Sequence, residues 1–175
     1  MNLLIIKPSE EYIAEITDYK QESLKDDEHV HGTGGIQKYE TVKDWIEQAR
    51  LCESEETVPP GLVTVSQYML VQEGERRILG MINLRHNLGE PGGYLAEFGG
   101  HIGYSVRPSE RRNGYARVMV RLCLERCREL GLCRVLLTCA PSNEASRRVI
   151  VSCGGKFERL AESDREVLER YWIEL

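Results

Sequence analysis

Two hydrophobic periods alternate along the 175 residues and mark the elements. Leu3–Ile6 is a short apolar run that stops at Pro8, and it predicts a first strand. Ser9 stands as an N-cap for a helix through about Leu24, with Ile13 and Ile16 on one face. Residues 25–40 are polar and glycine-rich and predict a loop. Thr41 then caps a second helix, in which Val42, Trp45, Ile46 and Ala49 recur at i, i+3, i+4 and i+7. Residues 53–61 predict another loop. From Leu62 the period falls to two. Residues 62–72 and 77–85 read as strands joined by Glu73-Gly74-Glu75-Arg76, a hairpin signal. Residues 87–93 read as a turn and 94–106 as the next strand. Gly99-Gly100 within that strand marks a bulge or a close backbone approach.

The 3.6-residue period returns near Tyr115. Ala116, Val120, Cys123, Cys127 and Leu130 form one stripe, closed by Gly131. Residues 134–139 are continuously apolar, as a covered strand requires. Asn143 opens a fourth helix with Ser146, Val149, Ile150 and Cys153 inward, closed by Gly154-Gly155. Residues 156–160 and 168–175 read as two last strands. The order predicts an α/β fold with an α+β mixed sheet: about seven strands, four flanking helices and one strand–helix–strand crossover.

The length fits one domain over residues 1–175. Apolar runs are too short to span a bilayer and no basic leader precedes one, so a cytoplasmic protein without membrane partners is expected. The net charge of −5 gives no global attraction to nucleic acid. The six cysteines contain no CxxC pair, and Cys123 and Cys127 sit one helical turn apart beside leucines. They read as buried thiols in a reducing compartment, with no metal site; His29 and His31 lie in a polar loop without cysteine ligands nearby.

Candidate chemistry gathers where the strand ending at Val106 feeds a basic turn that opens the long helix. Free amides and the macrodipole make a helix N-terminus an anion cradle. The turn carries Arg111, Arg112, Asn113 and Gly114, and the helix starts with Tyr115 and Ala116. It reads as a pyrophosphate site. There is no Gly-Lys-Ser/Thr as in a P-loop, and Gly99-Gly100-His101-Ile102-Gly103 lacks the spacing of a dinucleotide fingerprint.

Val106-Arg107-Pro108 with Arg111-Arg112-Asn113-Gly114-Tyr115-Ala116, followed by Asn143-x-x-Ser146 and Gly154-Gly155, resembles the GNAT superfamily of acetyl-CoA-dependent N-acyltransferases. Asn83-Leu84-Arg85-His86, Gly100-His101-Ile102-Gly103-Tyr104 and Tyr171-Trp172 are similar to one bacterial subgroup of it. The resemblance implies a GNAT-like fold and acetyl-CoA as co-substrate without a metal. The pyrophosphate would lie on the 111–116 turn, the pantetheine arm along Tyr104, Ser105 and Val106, and Asn143 and Ser146 would face the cofactor. It also implies attack of an amine acceptor on the thioester, and leaves a homodimer among the partners allowed. His101 is the first candidate base, Glu97 the second by strand parity, and His86 a third. The family often protonates the leaving thiolate with a Tyr seven residues after the Asn; here that position is Ile150, and Tyr104, Tyr115 and Tyr171 are the substitutes available. Acidic residues 26–28 and 53–56 fall where relatives build an acceptor floor, which would suit a cationic amine, although a solvated surface explains them as well. Two other readings stand beside the transferase: an acyl-CoA-binding sensor without turnover, and acetylation of a tRNA-borne amine, which the net charge disfavours.

Overall fold

In a computed structural model, which describes residues 2–27 and 29–175, two antiparallel sheets meet edge to edge. The first runs β1 (Leu3–Ile6), β2 (Val65–Gln72), β3 (Ile78–Arg85), β4 (Ile102–Val106) in that order. The second places β7 (Val167–Glu174) between β5 (Arg134–Cys139) and β6 (Lys156–Glu162). Four α-helices cover them: α1 (Ile13–Leu24), α2 (Val42–Leu51), α3 (Tyr115–Glu129) and α4 (Glu144–Ser152).

Alternation along the central strands builds two cores at once. Tyr68, Leu70, Ile82 and Leu84 turn toward α3 and α4, where they meet Met119, Val120, Cys123 and Cys127. Met69, Val71, Ile78 and Met81 turn the other way, against Ile16, Tyr19, Ile36 and Trp45. Both faces of β2 and β3 are therefore dry, as in a sheet sandwiched by helices. On the second face the apolar set stops after Met81, and Asn83 and Arg85 continue it.

Local chemistry explains most of the boundaries. The Thr41 hydroxyl accepts from the Asp44 amide at 3.1 Å and caps α2. Asn143 caps α4 in the same way, accepting from the Ser146 amide at 3.0 Å. Ser9 is extended but makes no such bond; residues 10–12 form a 3-10 turn before α1 begins. Leu130 leaves the predicted stripe and is exposed, while Met119 and Leu124 take inward positions. All six cysteines are free thiols.

The largest departure from expectation precedes β4. Residues 94–106 are not one strand, because Leu95–Gly99 winds into a wide helical turn and β4 begins only at Ile102. Leu95-Ala96-Glu97 are good helix formers, and Tyr94 stacks on Phe98 with ring centroids 5.7 Å apart. The deciding bonds come from another sheet: Arg170 of β7 donates to Ala96 O at 2.5 Å and to Glu97 O at 2.7 Å. These satisfy carbonyls that a short helical turn leaves orphaned.

Candidate active site

The site begins where β4 and β5 fail to pair. The two strands are joined at one point. The His101 amide donates to Leu136 O at 2.7 Å, and the Leu136 amide returns a bond to His101 Nδ1 at 2.9 Å. Gly100, just before it, sits at φ 65° and ψ −178°, and a Cβ there would be 2.6 Å from Leu136 O. Beyond this joint the sheets part, so β4 keeps one open edge. The bonds from the Arg85 amide to His101 O and from the Arg107 amide to Leu79 O turn the odd residues of β4 toward β3. By strand alternation the backbone groups of Ile102, Tyr104 and Val106 point into the gap.

The far end of that gap is the turn into α3. Arg112 is left-handed at φ 69°, alone among the non-glycine residues described, and Gly114 follows at φ 80°. Left-handed residues set among right-handed ones in a turn are the backbone pattern of an anion-binding nest. The backbone amides of residues 112–117 have no acceptor among the described residues, so six donors are free where the positive end of the helix dipole lies. Arg112 has no carboxylate partner among the described residues, whereas Arg111 is held by Asp26 at 2.7 Å. Asn113 Nδ2 donates to Glu110 O at 3.2 Å. The Asn143 side-chain oxygen is used as the helix cap; its Nδ2 has no acceptor among the described residues. Across the gap the Tyr104 hydroxyl meets Ser146 Oγ of α4 at 2.8 Å, and burial pushes its pKa up to about 12. Ile150 is fully buried. Ser105 turns its hydroxyl to the opposite face, donating to His31 O at 2.5 Å and meeting the Tyr19 hydroxyl at 2.9 Å.

Ahead of the turn sits Arg107, with no exposed surface at all. Its guanidinium donates to Ile78 O at 2.7 Å, Asp18 at 2.6 Å, Glu15 at 3.0 Å and Glu22 at 3.1 Å. Glu22 also accepts from the Ser109 amide at 2.7 Å, which fastens the start of the turn into α3 to α1. Sequence pattern alone gives Arg107 no role. Its only signal is a charged residue continuing an apolar strand into Pro108.

The three candidate bases each bond a different partner and form no common arrangement. His101 is 7% exposed, and its Nδ1 already accepts a hydrogen bond. The neutral ring then carries its hydrogen on Nε2 and has no spare lone pair. Burial first, and the Arg85 charge second, push its pKa down to about 4. Glu97 lies on the helical turn instead of a strand and is ion-paired with Arg159 at 2.5 Å. His86 Nε2 meets Ser66 Oγ at 2.9 Å at the end of β3, and burial lowers its pKa. Of the other phenols, Tyr171 bonds Glu169 at 2.8 Å on β7, and Tyr115 is half-buried at the first turn of α3.

The joint makes a pH prediction. An unfolded histidine titrates near 6.5, so between that value and about 4 only the unfolded state binds the proton. Stability is therefore full above about pH 6.5 and falls as pH drops toward 4, by as much as about 3 kcal/mol. The urea midpoint should be lower at about pH 5 than at about pH 7.5. His101→Gln, which can still accept from Leu136, should flatten the difference; an unchanged slope in that variant would refute the assignment.

On the other face of the sheet, α2, residues 33–39 and residues 61–63 enclose a cavity of about 350 Å³ over Val65, Gln67, Asn83 and Arg85. Asn83 links it to β4 by accepting from the Gly103 amide at 3.2 Å. The acidic stretches do not line it: Asp26 holds Arg111, Glu53 pairs with Lys7, and Glu28 lies outside the described residues. Among the described residues no three His, Cys, Asp or Glu side chains gather to hold a metal, and no helix is long and apolar enough to cross a membrane.

A splayed sheet with a row of free amides where the open strand turns into a helix, and a cavity over the two neighbouring strands, is an architecture suited to acyl transfer. The family model for the acetyltransferase (GNAT) domain matches residues 2–156, and the chain belongs to that family. A sequence comparison with curated proteins gives no match. Among solved structures, a putative ribosomal-protein-serine acetyltransferase from Vibrio cholerae superposes with a TM-score of 0.68 at 15% identity, over 100% of this chain and 95% of that one. RimJ of Mycobacterium smegmatis, in complex with CoA-disulfide, gives 0.68 at 19% identity over 98% and 81%. The microcin C7 self-immunity acetyltransferase, in complex with acetyl-CoA and AMP, gives 0.70 at 14% identity over 99% and 92%. These likenesses show that the fold is shared.

Proposed function

We propose that this acetyltransferase moves an acetyl group from acetyl-CoA to an amine by direct attack within a ternary complex. The observation that carries the reading is the row of six unpaired amides at residues 112–117, set at the end of the open edge of β4. Such a row suits a pyrophosphate, and the open edge suits an amide-bearing arm that would add to it like a strand. Tyr104, Ser105 and Val106 would hold the pantetheine arm, and Arg112, Asn113, Gly114, Tyr115 and Ala116 the pyrophosphate. Arg111 contributes less, since Asp26 already neutralises it. Asn143 Nδ2 and Ser146 would complete the cofactor side from α4.

The amine nitrogen would attack the thioester carbonyl carbon, and the developing oxyanion would be received by the inward amides of Tyr104 and Val106. As the C–S bond breaks, the thiolate needs a proton. Tyr104 is the phenol that reaches across the gap, so it is assigned that role in place of the absent Tyr at Ile150, and the second proton that the nitrogen sheds as the amide forms restores the phenol. The amine must lose its own proton first. With His101 occupied and Glu97 ion-paired, that proton is assigned to solvent, and His101 is assigned to holding the joint.

Mass spectrometry of products from acetyl-CoA and a broad amine library tests the transferase reading; cofactor binding without any product would favour the sensor instead. With an accepted amine, kcat/KM should rise with pH up to the amine's own pKa. Tyr104→Phe should lower kcat about tenfold, a modest loss because a thiolate of pKa about 8.5 can leave unassisted. A loss in kcat of about a hundredfold or more in a folded Glu97→Gln would make Glu97 the base after all.

A further inference from the structure

The cavity over β2 and β3 contains a charge without a counter-charge. Of the fifteen residues that line it, Arg85 is the one that carries a formal charge, although the chain holds 28 acidic residues. Its Nη1 donates to Gly99 O at 3.2 Å and Gly100 O at 2.9 Å. Nε and Nη2 have no acceptor among the described residues, and no carboxylate there comes within ion-pair distance. Burial lowers the guanidinium's pKa, and the Tyr94 phenol is the one group that counters this. A half-buried, unpaired guanidinium is costly, and carboxylates are its best-matched partners because two parallel N–H groups meet two oxygens.

We infer that the acceptor amine carries its own carboxylate, which binds the free edge of Arg85 while an apolar side chain fills the rest of the cavity. The inference rests on the acetyl-transfer reading for its chemistry, and on the pocket for its specificity. Capping Gly99 and Gly100 uses one of the three guanidinium nitrogens and leaves two donors for a ligand. The remaining walls set the side-chain class. Trp45, Leu62, Val63 and Leu95 are apolar or aromatic, and the volume of about 350 Å³ is at the small end for a ligand site. A free amino acid with an aliphatic or aromatic side chain meets both conditions. A cationic acceptor would set its charge against Arg85 with no acid lining the cavity to offset it.

The location fits the reaction. Arg85 is the last residue of β3 and bonds the carbonyls that immediately precede the joint, while Asn83 on the same face bonds β4 at Gly103. A carboxylate on Arg85 would thus be held beside the strand whose open edge takes the thioester. The α-carbon is a short link between such a carboxylate and the attacking nitrogen.

Matched pairs test this: L-leucine, L-methionine and L-phenylalanine, each against its primary amide. The amide's amine is the less basic, so chemistry alone favours the amide. The wild-type protein should nevertheless acetylate each acid with kcat/KM at least about tenfold higher, the ratio expected of one charge-assisted pair. Arg85→Gln should bring the two values together by lowering the acid's, and Arg85→Lys should restore most of the preference. Calorimetry with N-acetyl-L-leucine and N-acetyl-L-leucinamide, in the presence of CoA, reads the pocket without turnover. Binding of the acid that is lost in Arg85→Gln sustains the inference even if no amine is acetylated, in which case the transferase reading fails alone. Acetylation of the amides as readily as of the acids, or an equal loss on both in Arg85→Gln, overturns the inference and leaves the transferase reading standing.

Discussion

Replacing Arg107 by Met is expected to lower the unfolding free energy by about 3–5 kcal/mol, the usual result of removing one partner from a buried ionic cluster. Met keeps most of the volume, so the loss isolates charge and hydrogen bonding. The variant strands Ile78 O in the interior and sets Glu15, Asp18 and Glu22 against one another without their cation. Those carboxylates are between 26% and 60% exposed and can rehydrate, which places the loss toward the lower end. For a chain of this size the melting temperature should fall by roughly 6–12 °C. Because Glu22 also holds the Ser109 amide, the KM for acetyl-CoA should rise several-fold in the surviving protein. A melting temperature within about 2 °C of wild type would refute the account.

The same cluster has a pH signature. The Arg107 hydrogen bond lowers the pKa of Asp18. Burial works to raise that of Glu22, but the bonds from Ser109 and Arg107 outweigh it and leave it lowered as well. Carboxylates depressed in the folded state stabilise it above their unfolded pKa, near 4, and that stability is lost as pH falls below it. The acid limb from this cluster lies below the one expected from His101, so the two can be read separately.

Gly100→Ala should be the second most damaging change, by about 3 kcal/mol or more. Gly100 has a positive φ with ψ near 180°, a region essentially reserved for glycine that costs another residue about 1–3 kcal/mol. The added methyl would also sit 2.6 Å from Leu136 O, a backbone atom that cannot turn aside. Something must move, and the contact that gives is the paired bond between His101 and Leu136. Thermal melting should therefore drop by roughly 6 °C or more. Activity should fall further than the folded fraction accounts for, since the joint sets where the cleft opens. Full activity per folded molecule would show that the width of the cleft does not depend on this contact.

Much of the fold was legible. The seven strands and four α-helices follow from changes of period at Leu62 and Tyr115, and from caps at Thr41 and Asn143, all short-range signals. The turn at Arg111–Ala116 was legible for the same reason: glycine and basic residues between a strand and a helix state their own geometry. What was not legible was anything set by a partner far along the chain. Glu97 looked like a strand residue because residues 94–106 read as one strand running into the alternating Ile102, Tyr104 and Val106, whereas bonds from Arg170, 73 residues away, hold that stretch as a helical turn. His101 looked like a base because the GNAT resemblance implies one in its slot, just before Ile102. Its lone pair is claimed by the Leu136 amide, 35 residues away.

The sequence by itself determined the order of strands and α-helices and the basic, glycine-bearing turn that opens α3, because periodicity, caps and such a turn act within a few residues of one another. Only the tertiary structure decided where the sheet divides, which side chains remain free for chemistry, and that the cavity over β2 and β3 carries a positive charge with no acid lining it. Those features are sums over contacts between distant segments. The charge on Arg85 is written in the sequence, but its want of a counter-ion exists only once the chain has closed around it.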